Sequence, residues 1–144
     1  MQAPQSPVVR LTLPPGVEHV ALCRSVAEGA GRVAGLDADA IADLRTAVSE
    51  AVANAVVHGC ARVRRAVEVV VEALPGAVVV EVADPGDGFD PAAQAAPRAE
   101  ELPEDGLGLV LLRALADELE VRRGDGGDGC VVRLVKRAAH APCG

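Results

Sequence analysis

Apolar and polar residues alternate along the first regular stretch of the chain, residues 8–13. The apolar positions are Val9, Leu11 and Leu13, and the polar positions between them are Arg10 and Thr12. A period of two predicts a strand with one buried face. Pro14-Pro15-Gly16 follows directly and ends the predicted strand.

The spacing of apolar residues then changes to that of helices. The first predicted helix covers residues 17 to about 33, and Gly35 separates it from the next one. Asp37 is a suitable N-cap for a second helix that runs to about His58. The core-facing stripe of this second helix is predicted to contain Ile41, Leu44, Val48, Val52 and Ala55.

Two valine-rich segments, residues 66–74 and 77–83, are joined by Pro75-Gly76. Proline followed by glycine fits the two central positions of a type II turn. One face of the two segments carries Val67, Val69, Val71, Val78, Val80 and Val82, and the other carries Glu68, Glu72 and Glu81. This pattern predicts an antiparallel hairpin that helices cover on a single side.

The second half of the chain begins with residues 91–105, a stretch rich in Ala, Pro and Glu that lacks a clear period. We expect a mobile loop there. Gly106 opens a third predicted helix, and residues 119–123 and 130–136 are predicted as two closing strands around a turn rich in Gly and Asp. The apolar face of the third helix carries Leu109, Leu112, Leu115 and Ala116.

The order β-α-α-β-β-loop-α-β-β predicts an α+β fold. In the expected two-layer sandwich, three helices cover one face of a mostly antiparallel five-stranded sheet. The length of 144 residues suits one domain with one core. We place this domain at residues 8–137, with flexible tails at residues 1–7 and 138–144.

The net charge and the cysteines indicate which partners and which cell compartment to expect. The 21 acidic and 14 basic residues give a formal net charge of −7, which argues against direct binding of nucleic acid. No apolar run reaches membrane-spanning length, and the N-terminal residues lack the apolar core of a signal peptide. The four cysteines form no C-x-x-C pair. We therefore expect a cytoplasmic protein with reduced thiols that has no contact with a membrane.

Three polar residues, Glu50, Asn54 and His58, follow one another at intervals of four on the second predicted helix. This spacing places them along one stripe, roughly a third of a turn from the core stripe. An amide oxygen is a hard ligand for Mg²⁺, and a carboxylate one turn away can orient or deprotonate an attacking hydroxyl. A solvated helix face explains the same pattern, so the stripe by itself leaves both interpretations open.

The second candidate motif is Asp84-Pro85-Gly86-Asp87-Gly88-Phe89, directly after a predicted strand. A carboxylate at the end of a strand can accept a hydrogen bond from an adenine amino group, and glycines let the backbone pass close to the base. Asp followed by glycines is also ordinary turn chemistry.

The third candidate motif is Gly106-Leu107-Gly108 at the start of the third predicted helix. Two glycines leave the first backbone amides accessible, and a helix N-terminus attracts phosphate. Leu111 occupies the third glycine position of a dinucleotide fingerprint, and no Gly-Lys-Ser/Thr follows as in a P-loop. Taken singly, this motif is weak.

In combination and in this order, the three motifs make the chain resemble the GHKL superfamily of ATP-binding domains. Within it, the sequence is most similar to bacterial anti-sigma factor serine kinases, and the likeness spans residues 8–136. Three passages carry it, SEAVANAVVHG at residues 49–59, VADPGDGFD at residues 82–90 and GLGLVLLRALADELEV at residues 106–121.

The resemblance implies a role for each motif. Asn54 would hold Mg²⁺ against the phosphates of ATP, and Glu50 would act as the general base or orienting group for a seryl hydroxyl. Asp84 would bind adenine, while Asp117 would be structural. The nucleotide-binding residues implied are Asn54, His58, Asp84, Gly86, Gly88, Gly106, Leu107 and Gly108.

The resemblance also implies an activity and partners. The implied reaction transfers the γ-phosphoryl group of ATP to a serine of a small anti-anti-sigma (STAS-type) protein, and the implied second role is binding of a sigma factor. A homodimer is a further implied arrangement. The lid between Phe89 and Gly106 is short, with Arg98 as its only basic residue. This leaves an alternative open, namely a module that binds ATP or ADP and sequesters a partner without phosphoryl transfer.

Overall fold

The described part of the chain contains five strands, three α-helices and one short 3₁₀ turn. The computed structural model describes residues 5–14, 16–56, 66–84, 105–123 and 129–138. The strands and helices are β1 (Val8–Leu13), α1 (Val20–Ala34), α2 (Ala38–Asn54), β2 (Val67–Leu74), β3 (Ala77–Asp84), α3 (Asp105–Leu115), β4 (Glu118–Arg123) and β5 (Cys130–Arg137). Their order along the chain confirms the predicted one. Of residues 91–105, predicted as a mobile loop, residues 91–104 lie outside the described residues, and Asp105 is the first residue of α3.

The five strands form one sheet in the order β1-β2-β3-β5-β4. All four neighbouring pairs are antiparallel. At the β2–β3 turn, Gly76 has a φ of 79°, as the third residue of a type II turn requires. The predicted α+β fold is therefore confirmed.

The core lies between one face of the sheet and the three helices. The valines at alternate positions of β2 and β3, together with Leu134 of β5, are almost completely buried on this face. α1 packs on β2 and β3, α2 packs on β3 and β5, and α3 packs on α2 and β4. The opposite face carries the predicted glutamates, and there Glu81 lies within ion-pair distance of Arg122 and Arg133.

The predicted N-cap of α2 is present. Asp37 has an extended backbone conformation, and its Oδ1 accepts a hydrogen bond from the backbone N–H of Ala40 at 3.0 Å. The carboxylate thereby satisfies one of the amide groups that the first helical turn leaves without a partner. The predicted helix runs to about His58, and of its last turn residues 55 and 56 are described while residues 57 and 58 lie outside the described residues.

The start of α1 differs from the sequence prediction. Residues Val17–His19 form a 3₁₀ turn, and the α-helix begins only at Val20. The backbone N–H of His19 donates to the carbonyl of Gly16 at 3.3 Å, which closes the tighter turn. Neither Gly16 nor His19 supplies a side-chain cap, so no residue fixes an α-helical start at Val17.

Among the helices that the structure describes, none combines the length and apolar character needed to cross a membrane.

Candidate functional site

Two opposite ends of the sandwich can be told apart by the β2–β3 turn and by the last residue of β3. Gly76 donates its N–H to the carbonyl of Ala34 at 2.8 Å, so the last residue of α1 lies beside this turn. Because α2 begins at Ala38, its first turn lies at this end as well. We call it the turn end, and we call the opposite end, where β3 finishes, the Asp84 end.

The lengths of α2 and β3 carry their last residues to the same end. The 17 residues of α2 extend about 26 Å at 1.5 Å per residue. The 8 residues of β3 extend about the same distance, at about 3.3 Å per residue. Since both elements start at the turn end and pack on each other, the last turns of α2 lie near Asp84.

The polar stripe of α2 is only partly covered by protein. Glu50 and Asn54 are half-buried, whereas their neighbours Ala51 and Val52 are in the core. The two polar side chains therefore lie at the border between the core and solvent, where a bound molecule can reach them. The third residue of the predicted stripe, His58, lies outside the described residues.

Asp84 is the last residue of β3 and is half-buried. Because side chains alternate along a strand, it shares the helix-facing side of the sheet with Val80 and Val82. Its partner across β5 is Cys130, whose partner across β4 is Arg123. Gly86 and Gly88, the other predicted residues of this motif, lie outside the described residues.

The pKa of the Cys130 thiol reflects its burial and its proximity to Asp84. Burial, and to a smaller extent the negative charge of Asp84, raise the pKa of Cys130 from 9.0 to about 11. At neutral pH this side chain is therefore a neutral thiol. The thiol therefore adds no charge beside Asp84.

The helix α3 includes Gly106, Leu107 and Gly108 in its first turn, as predicted. Its last residue is held at the turn end, since Nζ of Lys136 donates to the carbonyl of Leu115 at 2.8 Å and Lys136 is paired with Val78. The 11 residues of α3 span about 16 Å, so its first turn lies well away from the turn end. Its N–H groups are thus directed away from Lys136.

The fold therefore brings parts of two motifs to the Asp84 end of the sandwich and directs the third away from the turn end. Glu50 and Asn54 come from α2 and Asp84 from β3, and the N-terminal turn of α3 faces away from Lys136. A carboxylate, an amide and a helix N-terminus together suit a ligand with a hydrogen-bond donor at one end and phosphates at the other.

The same residues also limit how a metal ion could be held. In the part of the chain that the structure describes, no group of three or more His, Cys, Asp or Glu side chains is placed to hold one. Mg²⁺ is commonly bound through one or two protein oxygens together with substrate phosphates. The oxygen donors of Asn54 and Glu50 fit that kind of site, in which the substrate supplies most ligands.

Comparison with known proteins gives the family. Residues 13–136 match the family described as the histidine kinase-like ATPase domain. The chain belongs to this family. The match includes every described element except most of β1 and the end of β5, so the expected membership of the GHKL group is confirmed.

The relatives of this histidine kinase-like domain include named kinases. The chain is 30% identical over 139 residues to the serine-protein kinase RsbW of Staphylococcus aureus strain MRSA252, covering 90% of this chain and 87% of the relative. The same figures hold for RsbW of strain Newman. The similarity therefore extends along most of the length of both chains.

Solved structures share the fold. The structure of the RsbU and RsbW domains of Rv1364c from Mycobacterium tuberculosis matches with a TM-score of 0.66 and 27% identity, over 91% of this chain and 32% of that one. This chain thus spans about a third of that larger protein. The SiaB–SiaC complex from Pseudomonas aeruginosa contains a chain with the same fold, with a TM-score of 0.55 and 16% identity over 89% of this chain and 88% of that one.

No role was predicted from the sequence for Cys130, Asp43 or Lys136. Cys130 enters the neighbourhood of Asp84 through strand register, which the order β3-β5 determines. Lys136 reaches Asp43 across 93 positions of the chain. Counting alternate positions forward from Val132 through Leu134 would have placed Lys136 on the helix-facing side, but only the assembled fold supplies its partners.

Proposed function

We propose that this histidine kinase-like domain is an ATP-dependent serine kinase that acts as an anti-sigma factor. In this proposal it phosphorylates a small anti-anti-sigma partner of the STAS type and also binds a sigma factor. The observation that carries the proposal is the placement of Glu50, Asn54 and Asp84 at the same end of the sandwich. The relatives named as serine-protein kinases support the choice of acceptor.

Nucleotide recognition would begin at Asp84. Its carboxylate would accept a hydrogen bond from the adenine amino group, with Gly86 and Gly88 next to the base. The neutral thiol of Cys130 beside it would contribute surface to the same wall without a competing charge. His58, which we also assign to the nucleotide site, follows Asn54 in the sequence.

The phosphates would lie between α2 and the first turn of α3. The backbone amides of Gly106, Leu107 and Gly108 would donate to phosphate oxygens, since a helix N-terminus favours negative charge. The amide oxygen of Asn54 would hold Mg²⁺ there. When bound, Mg²⁺ neutralises charge on the transferred phosphoryl group.

The chemical step would need one well-placed carboxylate. Glu50 would accept the proton of the seryl hydroxyl while the serine oxygen forms a bond to the γ-phosphorus. The bond between the γ-phosphorus and the β–γ bridging oxygen breaks at the same time, and ADP is released. Catalysis of this kind rests mainly on positioning and charge neutralisation. A rigid helix that presents both Glu50 and Asn54 serves that purpose.

The proposal is tested by incubating the purified chain with Mg²⁺ and γ-labelled ATP, together with a candidate STAS-type protein. The matched control is the same partner with its candidate serine changed to alanine. We expect label on the unaltered partner alone. Binding of ATP without any label on the partner would instead favour the alternative, a module that sequesters its partner without phosphoryl transfer.

The sigma factor needs an experiment of its own. We expect the chain to retain a purified sigma factor on a column and to release it when the unphosphorylated STAS-type partner is added. If the sigma factor stayed on the column after the STAS-type protein was added, the two proteins would not compete for the chain, and this part of the proposal would be contradicted. Sedimentation of the chain alone would test the proposed homodimer, and a monomer at working concentration would remove it.

A further inference from the structure

The side chain of Lys136 joins three elements at the turn end. Its Nζ donates to the carbonyl of Leu115 at 2.8 Å and to Oδ2 of Asp43 at 3.2 Å. Leu115 ends α3, Asp43 lies in the second turn of α2, and Lys136 itself belongs to β5. The side chain of Lys136 is only 13% exposed, whereas that of Asp43 is 43% exposed.

The position of Lys136 in the sheet explains why its ammonium group lies there. Lys136 is paired with Val78, which is completely buried on the helix-facing side. A charged residue in this row has to extend its aliphatic part along the core and find partners at the border with the helices. The two oxygen acceptors supply these partners, so the ammonium is satisfied where it is only slightly exposed.

Further hydrogen bonds hold the segment that follows α3. The backbone N–H of Asp117 donates to the carbonyl of Val135 at 2.8 Å, and its Oδ2 accepts from the N–H of Arg137 at 2.6 Å. These bonds fix the chain after α3 to β5. Lys136 adds a bond to the last carbonyl of the helix and the link to α2, and a cation at a helix C-terminus is also favourable for the helix dipole.

The opposite end of α3 is the one that the proposed function uses. Gly106 lies in the first turn, about 14 Å along the helix from Leu115. At that distance Lys136 makes no contact with a phosphate bound there. Any influence of Lys136 on the reaction must therefore pass through the placement of α3 relative to α2.

We propose that Lys136 is a positioning residue that anchors α3 to α2 and thereby sets the distance of the phosphate-binding turn from Glu50 and Asn54. Asp43 is its partner on the helix that carries both of those residues. This inference rests on the proposed function. It adds to it a residue at the far end of the molecule that contacts neither the nucleotide nor the acceptor serine.

The test compares Lys136→Met and Asp43→Asn with the control Arg32→Met. Methionine retains the aliphatic part of the lysine and removes the ammonium, while asparagine removes the charge and keeps an oxygen acceptor. Arg32 is a matched control because it also pairs with a carboxylate one turn away, at 2.7 Å from Glu28, but is 73% exposed on α1. Each variant is assayed well below its own unfolding midpoint, so that every rate refers to folded protein.

We expect Lys136→Met to lower kcat for phosphoryl transfer by about tenfold or more, because small misplacements of reacting groups are costly. Binding of adenosine, which has no phosphates, should stay within about twofold, since Asp84 lies on another element at the opposite end. Asp43→Asn should show a smaller loss, Lys136→Arg should recover part of the rate, and Arg32→Met should match the wild type. Wild-type kcat in Lys136→Met, or an equal loss in Arg32→Met, would overturn the inference.

Amide hydrogen exchange of the nucleotide-free protein gives a second readout that needs no activity. In Lys136→Met, amides of residues 109–115 should exchange faster than in the wild type, while those of α1 stay unchanged. Unchanged exchange in α3 would overturn the anchor. If the proposed function itself were wrong, the wild-type chain would transfer no phosphoryl group, which is a different result from either of these.

Discussion

Asp84 and Cys130 are cross-strand partners on the helix-facing side of the sheet, at the end where β3 finishes. The half-buried thiol and the carboxylate are close enough that the charge of Asp84 adds to the increase in the pKa of Cys130. Cys130 therefore provides a native chemical probe of the residue that we propose binds adenine.

The first prediction concerns the reactivity of this probe. Burial and the Asp84 charge raise the pKa of Cys130 to about 11, and the thiolate is the reactive form. Alkylation of Cys130 should therefore be slow at neutral pH and rise towards pH 11. In Asp84→Asn the alkylation rate should rise at lower pH, although burial still keeps the pKa of Cys130 above 9. Peptide-resolved mass spectrometry after timed alkylation measures this, and identical pH profiles for the two proteins would contradict it.

The second prediction concerns stability at alkaline pH. Cys23 is completely buried, and burial raises its pKa from 9.0 to about 11. The folded state thus favours the protonated thiol, which stabilises the protein below pH 9 and ceases to do so as the pH rises through 11. The free energy of unfolding of the wild type should fall relative to Cys23→Ala by about 3 kcal/mol between these values, at about 1.4 kcal/mol per pKa unit. Denaturant titrations at several pH values test this, and a constant difference would contradict it.

The third prediction uses two glycines of α1 that differ in their surroundings. A β carbon on Gly31 would lie 2.8 Å from Cγ1 of Ile41, while one on Gly29 would meet nothing within 4 Å. Gly29→Ala should stabilise the protein by about 1 kcal/mol through helix propensity. Gly31→Ala should destabilise it, because overpacking costs about 1–3 kcal/mol and the β-branched Ile41 has little freedom to move. Urea unfolding of both variants would refute the account if they were equally stabilised.

Much of this architecture could be predicted from the order of patterns in the sequence. The valines of β2 and β3 alternate so regularly that their period fixes both the strands and the buried face. Asp37 is recognisable as an N-cap because carboxylates at that position bind the first free amides of a helix. By contrast, the 3₁₀ turn at Val17–His19 depends on weak local preferences, since nothing in the sequence there favours one helical start over another.

The sequence motifs predict site residues that are close together in the sequence. They do not predict contacts between residues that are distant in the sequence. Glu50 and Asn54 are neighbours on one helix, so the interval between them already places them together. Cys130 and Lys136 acquire their partners only when distant segments meet, Cys130 beside Asp84 and Lys136 beside Asp43. Local periodicity carries no information about such long-range neighbours.

The fourth prediction separates nucleotide binding from transfer. Glu50→Ala should lower kcat for phosphorylation of the partner by about 10²-fold or more, the usual contribution of a general base. The dissociation constant for ATP should change little, because Asp84 and the first turn of α3 are unaltered. The matched control is Glu120→Ala, an exposed glutamate of β4. Rapid-quench and binding measurements on both variants test this, and transfer by Glu50→Ala at the wild-type rate would remove the proposed role.

The central claim, an ATP site at the Asp84 end, is tested most directly by thermal unfolding with and without Mg²⁺-ATP. Ligand at about a hundred times its dissociation constant should stabilise the wild type by roughly 2.7 kcal/mol. For a domain of this size, this corresponds to an increase in Tm of roughly 5 to 10 °C. We predict an increase of that order in the wild type and none in Asp84→Asn. An unchanged Tm in the wild type, or equal increases in both proteins, would contradict the account.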